Sequence, residues 1–350
     1  MSTESETASE QGYRDPRADI LQVGLGFCAA KVVLSAVELG VFTLLGTRPL
    51  DADQLVAELG LHGRGVRDFL DSLVSLGFLD RDGGKYRNSA LAATYLDENR
   101  PETYSGGLLE LANVQWYETW QHLTTALRTG KPQYEGADRG AGPFEALYGN
   151  PELLEKFQRG MTGASLGSIL AMAERFPWSR YHTVVDVGCS EGTLLSRVLD
   201  RHAHLTGVGF DLADVAPNFA GTVGAFALAD RMSFAAGSFF TDPLPSAEVI
   251  SFGHILHDWD LDTKRMLLRK AYEALPAGGA VVISESLIDD ERRHNTFGLL
   301  MSLHLLLESP GGFDYTGADC LGWLAEAGFR DCRVEHLVGP ESMVVGIKNA

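Results

Sequence analysis

The first chemically loaded segment is an apolar run that carries an acid and then turns through glycines: Val184-Val-Asp-Val-Gly-Cys-Ser-Glu-Gly192. This pattern predicts a buried strand feeding a turn and a helix, where Gly188 and Gly192 allow positive φ and let a ligand approach the backbone. The spacing is Gly-x-x-x-Gly, not the Gly-x-Gly-x-x-Gly of a pyrophosphate loop, and Asp186 points a carboxylate at the same place. That carboxylate repels a diphosphate and suits a cationic or amino-bearing ligand. Nineteen residues past Gly192, a second predicted strand ends on Phe210-Asp211, where an acid accepts hydrogen bonds from both ribose hydroxyls. An adenosine with a cationic tail and no phosphate is S-adenosylmethionine, the cofactor these residues imply.

Such residues need a framework. After Tyr181 predicted strands and helices alternate: strand Thr183–Val187, helix 192–201, strand Leu205–Phe210, helix 213–229, then strands Met232–Ala235 and Val249–Phe252. Helix 260–275, strand Ala280–Glu285, helices 296–307 and 317–327, and paired strands 332–338 and 342–347 complete the series. The alternation predicts a doubly wound, Rossmann-like α/β domain over 181–350, with ligand loops at the carboxyl ends of its strands. Residues 101–180 have a helical pattern and aromatic clusters (Trp116, Tyr117, Trp120; Phe144, Tyr148, Phe157, Phe176, Trp178), broken by the loop Gly130–Pro143. They read as a linker and substrate-pocket segment, although core packing accounts for any single ring.

The N-terminal part is mainly α. Helical spacing from Ile20 to Leu45 stops at Gly40, a capped helix begins at Asp51, another spans about Gly63 to Leu76, and a hairpin forms around Asp82-Gly83-Gly84. Helix, turn, helix, hairpin over 16–100 is a winged-helix arrangement. Between Arg48 and Asn88 six basic residues meet seven acidic ones, so there is no positive face for DNA. An apolar stripe of Leu21, Leu25, Val32 and Val33 instead suggests a second copy of the chain and a homodimer.

The whole chain of 350 residues has a formal net charge of −18, which argues against nucleic-acid and membrane-surface partners. Cys28, Cys189, Cys320 and Cys332 form no CxxC pair and fit a reducing compartment. Residues 1–15 are Ser/Thr/Glu-rich without an apolar stretch, so a disordered tail and a cytoplasmic location are expected.

Asp186-Val-Gly188 with Gly192, Asp211, Gly237-Ser-Phe-Phe240, His257-Asp-Trp259, Glu285 and Pro310-Gly-Gly-Phe-Asp-Tyr-Thr316 follow one another in a recognisable order and spacing. In these features the chain resembles the small-molecule O-methyltransferases of the plant caffeate and hydroxyindole type, including bacterial members of natural-product pathways. The resemblance covers about residues 15 to 350. It implies a winged-helix dimerisation domain, a Rossmann-like methyltransferase domain and a small aromatic or polyketide-like acceptor. It also makes His257 the general base, with Glu285 and Asp314 as the carboxylates behind the imidazole. The chemistry agrees, since methyl transfer to a phenol needs the phenolic proton removed near neutral pH. The implied cofactor residues are Asp186, Gly188, Gly192, Asp211, Ser238, Phe239 and Trp259, with the indole walling the adenine.

The chain departs from that pattern in places. The family's Gly-Gly-Lys-Glu-Arg-Thr run is here Gly-Gly-Phe-Asp-Tyr-Thr, so Asp314 is one methylene shorter than the usual Glu. Its glycine-rich turn is here Cys189-Ser190-Glu191, crowding the methionine end; its adenine-binding acid is Ser238, and its cofactor lysine is Gly253. His254, His257, His294 and His304 fall near the predicted acceptor site, where three imidazoles could also hold zinc or iron, with Glu308 the one carboxylate suited to complete the set. Pocket lining is the simpler reading, and no metal is assigned. N- or C-methylation on the same fold, and a non-catalytic cofactor-binding regulator, are the rival functions.

Overall fold

The computed structural model describes residues 17–134 and 145–349. The expected N-terminal tail, Phe144 and most of the Gly130–Pro143 loop lie outside the described residues. The chain divides after Asn113 into two units.

The first unit runs α1 (Ala18–Gly24), α2 (Gly26–Glu38), α3 (Val41–Leu45), β1 (Leu50–Asp51), α4 (Ala52–Leu59), α5 (Val66–Ser75), β2 (Leu79–Asp82), β3 (Lys85–Asn88), α6 (Ala90–Tyr95) and α7 (Gly106–Leu111). Asp51 and Gln54 form a reciprocal capping box that starts α4. Gly40, at φ +68°, allows the sharp turn between α2 and α3. The sheet order β1-β3-β2, with α4 and α5 packed on it, is the expected winged helix. The apolar stripe is placed differently from expectation: Val32 and Val33 pack against their own unit's core. From α1 into the start of α2 the exposed apolar residues are Ile20, Leu21, Val23, Leu25 and Phe27, with Val23 83 % exposed. Among the described residues no single helix is long and apolar enough to cross a membrane; α1 and α2 reach that length only as a pair bent by 43°.

The second unit continues with α8 (Tyr117–Thr119), α9 (Leu123–Thr129), α10 (Glu145–Tyr148), α11 (Pro151–Arg175), β4 (Thr183–Val187), α12 (Thr193–Arg201), β5 (Thr206–Asp211) and α13 (Ala216–Ala225). It ends with β6 (Met232–Ala236), β7 (Val249–Gly253), α14 (Leu261–Ala274), β8 (Ala280–Glu285), α15 (Thr296–Glu308), α16 (Gly317–Ala327), β9 (Arg330–Val338) and β10 (Glu341–Ile347). The helix expected over 213–229 is shorter. A 3-10 turn, Ala213–Val215, precedes α13, Pro217 lies in the first turn, and Ala227 takes φ +53° just past the end.

The seven strands lie in the order β6-β5-β4-β7-β8-β10-β9, the first five parallel and the last two an antiparallel hairpin. The order in which strands are added reverses between the parallel neighbours β4 and β7, which opens a crevice at their carboxyl ends. Asp186, Asp211, Gly253 and Glu285 sit at or next to the ends of four strands on that edge. Two apolar layers cover the sheet. One includes Met172, Trp178, Leu195, Leu199 and Phe219; the other includes Phe252, Leu267, Leu268, Tyr315, Trp323 and Phe329.

Gly209, paired with Asp186 in the β4–β5 ladder, is where that first layer is tightest. A Cβ there would lie 2.3 Å from the Phe219 ring and 2.6 Å from Cys189 Sγ. Gly209→Ala should therefore lower stability by about 1–3 kcal/mol, the usual effect of overpacking. An unchanged urea midpoint would mean that the α12–α13 layer yields at no cost.

Candidate active site

A cavity of about 260 Å³ opens at the crevice, lined by α11, the β4–α12 turn, the ends of β5 and β7, and the loops after β6 and β7. Its first wall is the glycine turn. Gly188 takes φ +71°, and a Cβ there would lie 2.2 Å from Ile255, so backbone and cavity meet closely only because the residue is glycine. Gly192 has another task. It caps α12 at φ +83° and does not line the cavity; the place its Cβ would fill is occupied by Phe219 and Met232. Ser190 adopts φ +51° without being glycine, an unfavourable conformation for such a residue. Its buried hydroxyl has no hydrogen-bond partner among the described residues.

Asp186 and Asp211 both face the cavity from below. Asp186 Oδ1 accepts from the Ser251 hydroxyl at 2.7 Å; burial pushes its pKa up to about 7, with that hydrogen bond opposing. Asp211 is also raised by burial, against the backbone N–H groups of Ser190 (2.9 Å) and Leu212 (2.7 Å) that donate to its two oxygens. Ser238 lines the cavity and Phe239, Phe240 and Trp259 make an aromatic wall, both phenyl rings meeting the indole edge-to-face at 5.7 and 4.8 Å. No described residue lining the cavity is Lys or Arg, and three are Asp. A phosphate would be repelled there. A nucleoside with a cationic sulfonium and an ammonium fits the donor set, and the orphan Ser190 hydroxyl and the close-approach Gly188 fit a ligand lying on the turn.

His257 lies in the 3-10 turn Leu256–Asp258 that follows β7. Its Nδ1 is 3.0 Å from Asp314 Oδ1, and its Nε2 is 3.5 Å from Asp258 Oδ1. Asp258 lines the cavity. The shorter side chain of Asp314 reaches because the backbone brings it close: Phe313 N–H donates to the His257 carbonyl at 2.8 Å, and Ser309 Oγ to the Asp258 carbonyl at 2.8 Å. A Cβ on Gly312 would sit 2.8 Å from the Asp258 carbonyl, so this approach requires glycine. Glu285, expected behind the imidazole, instead accepts the His257 backbone N–H at 3.1 Å and fixes the turn rather than the ring. Burial alone would lower the His257 pKa, but Asp258, Asp314 and Glu285 outweigh it and hold the pKa up at about 10. Burial raises Asp258 to about 6 despite the opposing His257.

The other histidines part company. His254 lines the cavity at φ +52°, with Nε2 3.3 Å from Glu341 Oε2. His304 pairs with Glu308 at 3.1 Å and packs against Trp116, 4.2 Å between ring centres, while His294 sits in an exposed turn held by Asp289. Among the described residues no group of three or more His, Cys, Asp or Glu is placed to hold a metal. Of the aromatic residues between 101 and 180, Tyr148 and Phe157 line the cavity, and Phe176 and Trp178 belong to the core.

Two roles escaped the sequence. Asp258 stood inside the His-Asp-Trp motif without a function assigned, and Glu341 lies in an edge hairpin where a buried acid has no periodic signal.

Residues 120–330 match the O-methyltransferase domain and residues 21–98 the O-methyltransferase dimerisation domain, so the chain belongs to the O-methyltransferase family. It is 40 % identical to the tetracenomycin polyketide synthesis 8-O-methyl transferase TcmO of Streptomyces glaucescens, over 94 % of this chain and 96 % of that one. It is 33 % identical to the N,N-dimethyltransferase OxyT of Streptomyces rimosus, with 94 % and 96 % coverage. The crystal structure of human N-acetylserotonin methyltransferase in complex with SAM superposes with a TM-score of 0.88 at 28 % identity, covering 97 % of this chain and 99 % of that one.

Two measurements address the cavity. Asp211→Ala should weaken S-adenosylmethionine binding by about 2–3 kcal/mol, the range for hydrogen bonds to a charged group. Unchanged affinity by calorimetry would displace the ribose from this strand end. Asp186 ionises as pH rises through about 7, so affinity for a cationic ligand should increase between pH 6 and 8. That increase should flatten in Asp186→Asn, and a slope that survives the substitution would assign the titration to another group.

Proposed function

We propose that this O-methyltransferase moves the methyl group of S-adenosylmethionine to a hydroxyl of a small aromatic, polyketide-like acceptor, with His257 as the general base. The observation that carries the reading is the His257–Asp314 pair, which does not itself line the cavity but reaches it through Asp258, one of the three carboxylates that the cavity combines with an apolar face. That face, contributed by Phe157, Met161, Ile169 and Met172, suits a flat ring system. The relation to TcmO over nearly the full length supports the polyketide class.

When bound, the cofactor supplies an electrophilic methyl on a sulfonium that departs as a neutral thioether. The protein supplies the rest. Asp186 and Asp211 hold the amino-bearing and ribose portions, while Phe239 and Trp259 wall the adenine. Asp314 fixes the imidazole so that Nε2 takes the acceptor's hydroxyl proton, and Asp258 and Asp314 stabilise the imidazolium that results. The same carboxylates keep His257 protonated in the resting site at neutral pH. Its basic form therefore grows with pH, and turnover should climb from neutral pH toward about 10.

A second reading, methylation of an amine nitrogen, is favoured by the relation to OxyT. It uses the same base, and mass spectrometry of products from paired phenol and amine acceptors separates the two.

His257→Ala should cut turnover by about 10²–10⁴ while S-adenosylmethionine affinity stays near native. Near-native methylation by that variant would exclude base catalysis and leave proximity as the whole mechanism. The dimerisation domain and the exposed residues of α1 and α2 support a homodimer. Replacing Val23 and Leu25 together by Glu should convert it to a folded monomer in sedimentation at micromolar concentration; persistence of the dimer would move the interface off these helices.

A further inference from the structure

Lys264, in the second turn of α14, is 0 % exposed. An ammonium withdrawn this far from water needs compensation. Its Nζ donates to the Trp259 carbonyl and lies 3.5 Å from the His257 carbonyl. The same atom stands 3.6 Å from the centre of the Phe313 ring and 5.6 Å from that of Tyr315, a cation–π arrangement. One ammonium therefore grips both the turn that carries His257 and the segment that carries Asp314.

We propose that Lys264 is a positioning residue for methyl transfer, clamping the His257 turn against the Phe313–Tyr315 segment and balancing Asp258, Glu285 and Asp314 so that His257 can release its resting proton. The proposal rests on the reading of His257 as the base. The charge count explains why the ammonium matters. At neutral pH Lys264 and His257 are both cationic, and the three carboxylates exceed them by one charge. Removing the ammonium makes that excess two, and His257 then holds its proton more tightly.

The surrounding groups are consistent with this role. Burial draws the Lys264 pKa down to about 8, against the pull of Glu285, Asp258, Asp314 and Asp260. Tyr315 and Cys320 on the same side are kept neutral, burial raising both well above their ordinary values. From the β7 side, His254 faces His257 with ring centres 5.6 Å apart and is itself paired with Glu341.

The test compares Lys264→Met, which keeps the stem and loses the charge, with Lys264→Arg, which keeps the charge. At pH 7, where Lys264 is charged, the Met variant should lose kcat/KM roughly threefold, equivalent to about half a unit in the affinity of His257 for its proton. The Arg variant should match the native chain there, and its rising limb should lie at least about half a unit below that of the Met variant, because a guanidinium stays charged while His257 titrates. An NMR titration of the His257 imidazole in cofactor-free protein, assigned against His257→Gln, should show the same difference between the two variants. Coincident limbs and coincident imidazole titrations in folded Met and Arg variants would overturn the proposal. If His257→Ala retains turnover, the base reading fails by itself, and the NMR titration still decides whether Lys264 governs the imidazole. Should Lys264→Met not fold, Lys264→Gln carries the same expectation. Unfolding of both neutral variants would overturn the positioning role, because the ammonium would then hold the domain together and not the base.

Discussion

The backbone of Gly311-Gly312-Phe313 lies directly against the turn and helix start that follow β7, and the rest of the site depends on that approach. Added Cβ atoms on the two glycines would lie 2.9 Å from Asp260 Cβ and 2.8 Å from the Asp258 carbonyl. The Phe313 N–H closes the contact on the His257 carbonyl. With main chain on main chain, a carboxylate on the short Asp side chain spans the remaining gap to Nδ1. Glu285 acts from the opposite side through the backbone N–H, and the imidazole is held in ring and chain at once. Two carboxylates that look equivalent in sequence thus act on different parts of one residue.

The sheet supplies the coarse placement. Reversal of the strand order between β4 and β7 opens a crevice where acids from neighbouring strand ends converge. Asp186 and Asp211 reach it from β4 and β5, and Asp258 from the turn after β7. Close packing of Gly209 against Phe219 lets the helix layer sit near enough to shape the cavity floor. Burial makes these acids reluctant to ionise, which matches a ligand that brings its own positive charge.

Charge balance links the two halves of the site. His257, surrounded by acids, is a strong base that is mostly protonated at rest, while Lys264 sits on the opposite side of the same turn in an aromatic setting. A water-excluded cluster of this kind keeps its pattern of charge fixed, and each added or removed charge is felt by every other member.

The fold was legible because its signals are local. Apolar alternation, glycine turns and capping residues marked the strands and most helices within a residue or two; Asp186, Gly188 and Asp211 line the cavity from the strand ends and turn where the pattern put them, and Ser238, Phe239 and Trp259, expected from the family resemblance alone, line it too. The same signals overextended the helix at 213–229, where Pro217 and the positive φ of Ala227 override periodicity. Which chemical group each acid meets was decided only by tertiary structure. Glu285 on a backbone N–H, Asp258 beside the imidazole, Glu341 under His254 and Gly192 against Phe219 instead of a ligand are contacts between segments tens of residues apart. Residue type and spacing set which strand end a side chain occupies; its partner is set by ångström-scale backbone approaches that exist only once the layers have packed.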